Sequence, residues 1–481
     1  MKRITAGRVR IVAGVTAFGL AAAALAGCSS EDSGKVTITL AGPNQFTSDT
    51  DSFGPAWEEL IASFEADNPD IEVKTTVLPL SSWAQTSSAQ LTAGTAPELI
   101  FAQTAHTPDQ VYALTDELNE PNPFADSDVP WIELFRSDYF GGSEKLGADV
   151  NGDYWSIPFN LVGVGLYYNQ DALDAAEVAV EDLGTFSGFL EACPALREAG
   201  YEPLGFDNSP LYSGWTVIAL GSMLLSEEYE AANQYDADGN PGETYPISTK
   251  SLVRALLTGE VNIETDPAFA NMLELLKTFV DTCATENWSG VPAEGSFSGG
   301  TAFAGGEAAL SWGTNFSGAG LSEVDFSWGT IPFPTVETSD STYASGDDAQ
   351  FGINNGGTAY MIPAYIEGEQ LDAAITFLQY VSSPKVKDWL DATNSISALV
   401  DVEDPSGLAA LTVGAWAQLP PSGQTTGFIQ LPAALSGQNP FEGYLIGSAD
   451  LQTAVATLQQ NSLDWAAEQV EQADWTEDWA Q

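Results

Sequence analysis

Between residues 36 and 118 two hydrophobic periods alternate, and few folds accept such a chain. Val36-Thr-Ile-Thr-Leu40 repeats every second residue, as a strand does. A polar loop follows over 42–53. Trp57, Leu60, Ile61 and Phe64 then fall at helical spacing, and Asn68-Pro69 stops that helix. Ile71-Glu-Val-Lys-Thr-Thr-Val77 predicts a second strand, and 81–93 a second helix. Gly94-Thr-Ala-Pro97 reads as a turn, Glu98-Leu-Ile-Phe101 as a short buried strand, and 108–118 as a third helix. Strand and helix in this order predict an α/β chain built on a doubly wound sheet. Ligands of such sheets sit beyond the carboxyl ends of the strands.

The pattern restarts downstream. Asp149-Val-Asn-Gly-Asp153 predicts a hairpin turn, Tyr154-Trp-Ser-Ile-Pro-Phe159 an extended segment, and Gly163-Val-Gly-Leu-Tyr-Tyr-Asn169 a strand. Helices are expected at 171–176, 186–199, 213–226, 248–257 and 267–283, which makes a second α/β unit. Asp236-Ala-Asp-Gly-Asn240 has part of a calcium-loop spacing. Pro241 stands where the bend needs Gly and Ile247 where the closing Glu belongs, so a hairpin tip is expected there and no metal. Gly295-Ser-Phe-Ser-Gly-Gly300 lacks the Gly-Lys-Ser/Thr of a phosphate cradle and reads as a loop. No cofactor is expected.

The N-terminus reads as an export signal over 1–27. Lys2, Arg3, Arg8 and Arg10 precede an uncharged apolar run, 11–26, too short for a comfortable membrane span. The run ends in Leu25-Ala26-Gly27-Cys28, which resembles the lipobox of bacterial lipoproteins. The resemblance implies lipidation of Cys28, a tether over 28–34, and a body held at the outer face of the cytoplasmic membrane by its lipid alone. Cys193 and Cys283 remain. In an exported chain a disulfide between them is one reading, and two separate buried thiols the other.

Four of the 14 Lys and Arg residues lie in 1–27, which holds no acid. The rest of the chain therefore carries ten basic residues against 67 Asp and Glu. Such a body repels nucleic acid and anionic membranes and disfavours anionic ligands. The charge also fits a plain solvated acidic shell.

Several segments resemble, in family order, the family 1 extracellular solute-binding proteins, the group that includes maltodextrin-binding proteins. They are 57–73, Thr92-Ala-Gly-Thr-Ala-Pro-Glu-Leu-Ile100, Gly152-Asp-Tyr-Trp-Ser-Ile-Pro158 through Leu166-Tyr-Tyr-Asn169, Phe303-Ala-Gly-Gly-Glu-Ala-Ala-Leu310, Gly329-Thr-Ile-Pro-Phe-Pro334, and 373–381 with Ser383-Pro384. The resemblance implies two α/β lobes joined by hinge crossings, closing on ligand as a monomeric trap that feeds an ABC permease. The first lobe is expected at 35–160 plus 309–357, and the second at 161–308 plus 358–481. Segment 303–310 would be the return crossing. Segment 400–481 matches least; its Trp465, Trp475 and Trp479 read as a helical end of open role.

A sugar needs aromatic platforms for its C–H faces and polar groups for its hydroxyls. Loops at strand ends offer Asn44, Gln45, Phe46, Trp83, Gln103, Thr104 and His106 from the first lobe. Asn160 is polar among apolar neighbours at the hinge. Asp207, Asn208, Trp215, Trp312, Asn315 and Phe316 are the second-lobe candidates, Trp215 and Trp312 by resemblance. Gly356 and Gly357 mark a crossing where a missing side chain permits close approach. Trp83 and Phe46 fit core packing equally well, and His106 also fits a plain loop contact. No acidic residue closely follows Phe101, so maltodextrin itself is not implied. A polyamine, peptide or osmolyte binder of the same fold is the alternative. An exported glycoside hydrolase is weaker: there is no Gly-x-Ser-x-Gly elbow, and one His with two spare Cys argues against a zinc site or a His-dependent triad.

Overall fold

The computed structural model describes residues 34–481 except 46–50, 80–81, 144, 150–151, 293–296, 322–323 and 354–355. The signal, Cys28 and Phe46 lie outside the described residues. β1 (Val36–Pro43) pairs in parallel along its whole length with β2 (Ile71–Leu78), and with β3 (Leu99–Phe101) on its other side. Their apolar residues alternate, which puts side chains on two faces. Leu99 and Phe101 join the main core with Ile38, Leu40, Trp57 and Phe64, while Ile100 joins a separate cluster with Leu91, Val111 and Met361. Both faces are therefore covered, as parallel strands require.

The helix Pro55–Asp67 starts with Pro, which needs no N–H partner in a first turn, and ends at Asn68, whose N–H returns to the Phe64 carbonyl at 2.9 Å. It buries Trp57, Leu60 and Phe64. Phe64 meets Phe377 and Tyr380 edge-on at 5.0 and 5.3 Å, which docks the helix Glu369–Val381 on the same face. The expected helix over 108–118 is broken. A 3-10 turn spans Pro108–Gln110, Val111 bridges Pro363 in extended form, and a short helix spans Thr115–Leu118. The Gln110 side chain folds back to accept from the Thr107 N–H, closing the turn after one round.

Further along, β4 (Ile157–Pro158) and β5 (Asn160–Leu161) carry the chain to β6 (Val164–Asn169), the start of a second sheet. β7 (Glu202–Gly205) lies parallel to β8 (Ala308–Thr314), and β6 lies antiparallel between β8 and β9 (Trp328–Ile331). The helix Pro210–Leu224 is apolar nearly all round and almost wholly buried. Phe186–Glu198 and Pro267–Cys283 are tied by the Cys193–Cys283 disulfide, Cα atoms 5.2 Å apart.

Two expected features resolve as packing. Tyr235 bridges Pro241, so 236–240 is a hairpin tip. One Asp236 oxygen accepts from the N–H groups of Asp238 and Asn240, and Lys250 Nζ donates to the Gly239 carbonyl at 2.9 Å. The protein's own donors thus fill the loop. The C-terminus is a clasp on the same spot: Trp479 Nε1 donates to the Tyr235 hydroxyl, and Glu477 pairs with Lys250, which stands 4.6 Å over the Tyr235 ring.

Sheet membership differs from the expected division. β9 and all of β8 but its first residue lie within 309–357 yet pair in the second sheet, whereas β10 (Ala359–Met361) and the helix Glu369–Val381 belong to the first. Segment 303–310 does not cross; it leads into β8. The apolar run of β8 resembled a crossing because it is a central strand with neighbours on both edges. The first sheet runs β2-β1-β3-β10-β4 and the second β7-β8-β6-β9. The chain passes between them at about 159–163, 332–358 and 394–405. β11 (Ile396–Ser397) pairs with β5 across this seam.

Candidate functional site

The seam is held by buried amides. Asn160 Nδ2 donates to the Ser395 hydroxyl at 2.8 Å, and its Oδ1 accepts from the Thr358 N–H at 2.6 Å. One side chain so joins all three crossings. Asn315, at the end of β8, holds the 159–163 crossing alone: its Oδ1 accepts from the Gly163 N–H and its Nδ2 donates to the Leu161 carbonyl. Both are fully buried. Their polar groups are satisfied within the hinge, and neither reaches a cavity, although both were expected at the ligand.

A cavity of about 590 Å³ opens where β3 ends and the 332–358 crossing arrives. This is the carboxyl end of a parallel strand, where doubly wound sheets hold ligands. Gln103 and His106 follow β3, Trp155 and Ser156 precede β4, and Gly356 and Gly357 precede β10. Phe140, Gly147, Ala148 and Asp149 line another side. Gln103 Nε2 donates to the Gly356 carbonyl at 2.8 Å, bridging the β3 loop to the crossing. A Cβ on Gly357 would collide with the main-chain and amide oxygens of Asn160, so only glycine fits there. The Thr104 hydroxyl is turned inward onto the Phe101 carbonyl at 2.8 Å and holds the loop rather than facing the cavity. His106 Nδ1 lies 2.8 Å from the Thr104 carbonyl, and its ring centroid is 4.3 Å from that of Trp155.

Four expected residues thus meet in one wall: Gln103, His106, Gly356 and Gly357. The others stand elsewhere. Asn44 Nδ2 donates to the Ser52 carbonyl, and Gln45 accepts from the Thr358 hydroxyl. Trp83 packs edge-on against Phe101 at 5.1 Å. In the second half Asp207 is fully buried, its oxygens accepting from the N–H groups of Ser209 and Gly299. Burial raises its carboxyl above the ordinary value, against the pull of those two donors. Asn208 is tied to Glu442 and Asn439. Phe316 sits in the 3-10 segment Asn315–Leu321.

Trp312, expected to face the ligand, is 0% exposed and stacks between Phe333 and Trp416 at 5.9 and 6.3 Å. Its β8 position is sealed by neighbouring strands and the 410–416 segment. Trp215 is half-buried and meets Trp312 at 6.0 Å and Phe351, on the crossing, at 6.2 Å. Trp155, Phe140 and Asp149 were not picked from the sequence. The signal for Trp155 was available: an aromatic in an extended run directly before a crossing.

Among the described residues no group of three or more His, Cys, Asp or Glu is placed to hold a metal, and no helix is long and apolar enough to cross a membrane.

Comparison with known proteins agrees with this architecture. The solute-binding protein RafE in complex with raffinose superposes with a TM-score of 0.59 at 17% identity, covering 90% of this chain and 100% of that one. An ABC substrate-binding protein from Listeria monocytogenes in complex with cycloalternan gives 0.58 at 16%, covering 92% and 100%. A binding protein of Brucella abortus is 29% identical over 248 residues, 47% of this chain and 55% of the relative. The chain spans about half the length of the curated relatives it matches. The family described as bacterial extracellular solute-binding protein matches residues 47–388, well over half of the sequence. With two sheets, three crossings and a cavity at the strand ends, the chain belongs to the bacterial extracellular solute-binding proteins.

Proposed function

We propose that this chain is the lipid-anchored binding component of an ABC-type importer, and that it captures a neutral mono- or oligosaccharide by hinge closure and delivers it to permease subunits. The observation that carries the sugar reading is the cavity wall. Trp155 and Phe140 offer apolar ring surface, Gln103 and Ser156 offer uncharged polar groups, and Asp149 is the single carboxylate, with no Lys or Arg among the described lining residues. An anionic ligand finds no counter-charge there. A polyamine finds one carboxylate, and that one already accepts from the Asp153 N–H at 3.0 Å. The fold shared with binders of raffinose and cycloalternan supports the same ligand class.

The anchor rests on the basic start, the apolar run and Cys28. It puts a monomeric body at the outer face of the cytoplasmic membrane, touching the bilayer only through lipid. The protein releases its sugar unchanged. Calorimetry with a panel of neutral sugars against a panel of polyamines tests the ligand class: heat with polyamines alone overturns the sugar reading. A Cys28→Ser chain that stays with the membrane fraction as firmly as the parent overturns the anchor.

A further inference from the structure

We infer that His106 and Trp155 form a paired acceptor and donor for hydroxyl groups of the bound ligand, with His106 Nε2 as the acceptor and Trp155 Nε1 as the donor. This deepens the sugar reading of the cavity and rests on it.

The argument starts from a tautomer. His106 Nδ1 is 2.8 Å from the Thr104 carbonyl oxygen, which can only accept. Nδ1 therefore carries the hydrogen, and in the neutral ring Nε2 is a bare acceptor. Nε2 has no hydrogen-bond partner among the described residues. The loop that presents it is fixed twice, by the Thr104 N–H and hydroxyl on the Phe101 carbonyl and by the Thr107–Gln110 cap.

Trp155 Nε1 can only donate, and it too has no partner among the described residues. The two rings lie 4.3 Å apart at 64°, so each limits the other's rotation, and both line the cavity. Two adjacent residues of the wall thus carry one unmet acceptor and one unmet donor.

Few ligand groups match both. A hydroxyl donates and accepts. An ammonium cannot accept from the indole, and a carboxylate or phosphate cannot donate to the imidazole. The pair selects for neutral polyols by chemistry rather than by shape, because a wrong group leaves a desolvated polar atom unpaired.

The test uses the lipid-free body, 29–481, made without a histidine tag, so that its one histidine gives one imidazole signal. Nitrogen-15 NMR of the unliganded protein should show the Nδ1–H tautomer; the Nε2–H tautomer overturns the inference with no ligand needed. Glucose, maltose, raffinose and xylobiose are then titrated by calorimetry. For any that binds, His106→Phe and Trp155→Phe should each weaken affinity about tenfold, roughly the loss of one hydrogen bond. Binding that both variants leave intact overturns the paired contact while the sugar reading stands. Silence across the whole panel overturns both.

Discussion

Asp207 shows how one buried group sets a local preference for acid. Its carboxylate is fully buried, has two neutral N–H donors, and is raised by burial. A raised carboxyl holds its proton more tightly in the folded chain than in the unfolded one. Ionising it in the fold therefore costs stability. That cost is absent below the ordinary carboxylate value and grows as pH climbs through the raised one. Asp207→Asn removes this slope. It also turns an amide N–H₂ toward one of the two N–H donors, a mismatch worth about 1–3 kcal/mol. The expected result is a variant less stable than wild type at pH 4, with the gap narrowing toward pH 7. Thermal melts of both proteins across that range check it, and a gap that widens with pH contradicts it.

At the scale of elements, the sequence was legible where one period ran long enough to dominate. The helix over 267–283 was read residue for residue, and 186–199 missed by one, because each buries a full apolar stripe. The 108–118 helix failed because the Gln110 cap and the Val111–Pro363 bridge, contacts made by distant or backfolded partners, outweigh local spacing. The site was half legible. Gln103 and His106 followed from the rule about strand ends, and Gly356–Gly357 from the resemblance to a crossing. Trp155 was missed because an extended segment presents alternate faces. Which face meets a cavity depends on the elements packed around the segment, which periodicity does not reveal. Trp312 was misplaced for the converse reason: an aromatic on a central strand looks the same in sequence whether it faces a cleft or a core.

The disulfide is a prediction of the same scale. It closes a chain separation of 90 residues and joins two helices of the second half. Loop-closure entropy for a ring of that size is on the order of 4–5 kcal/mol. Cys193→Ser with Cys283→Ser should shift the denaturation midpoint down sharply. Sugar affinity of the still-folded variant should be unchanged, since neither cysteine is near the cavity. Denaturant titration and calorimetry on the same samples separate the two effects.

At the scale of the whole molecule the 332–358 crossing links the two halves and, among the described residues, also lines the cavity through Gly356 and Gly357. Phe351 on it meets Trp215 of the second half, Gly356 accepts from Gln103 of the first, and Thr358 donates its N–H to Asn160 in the seam. A ligand pressed against Gly356 and Gly357 therefore acts on the strand that sets how the halves meet. Closure needs differential affinity: moving a population from 1:99 to 99:1 takes about 5.5 kcal/mol. Part of it must pass through this strand, because the described cavity lining contains nothing from the second sheet. Gly357→Ala tests the link directly. The added Cβ meets Asn160 oxygens on two sides, so the crossing must shift away from the seam. Saturating sugar should compact the wild-type body in small-angle X-ray scattering. The variant should bind at least tenfold more weakly and compact less at equal occupancy. Unchanged compaction and affinity in Gly357→Ala would mean that the halves close through the other two crossings, with this one a passive strap.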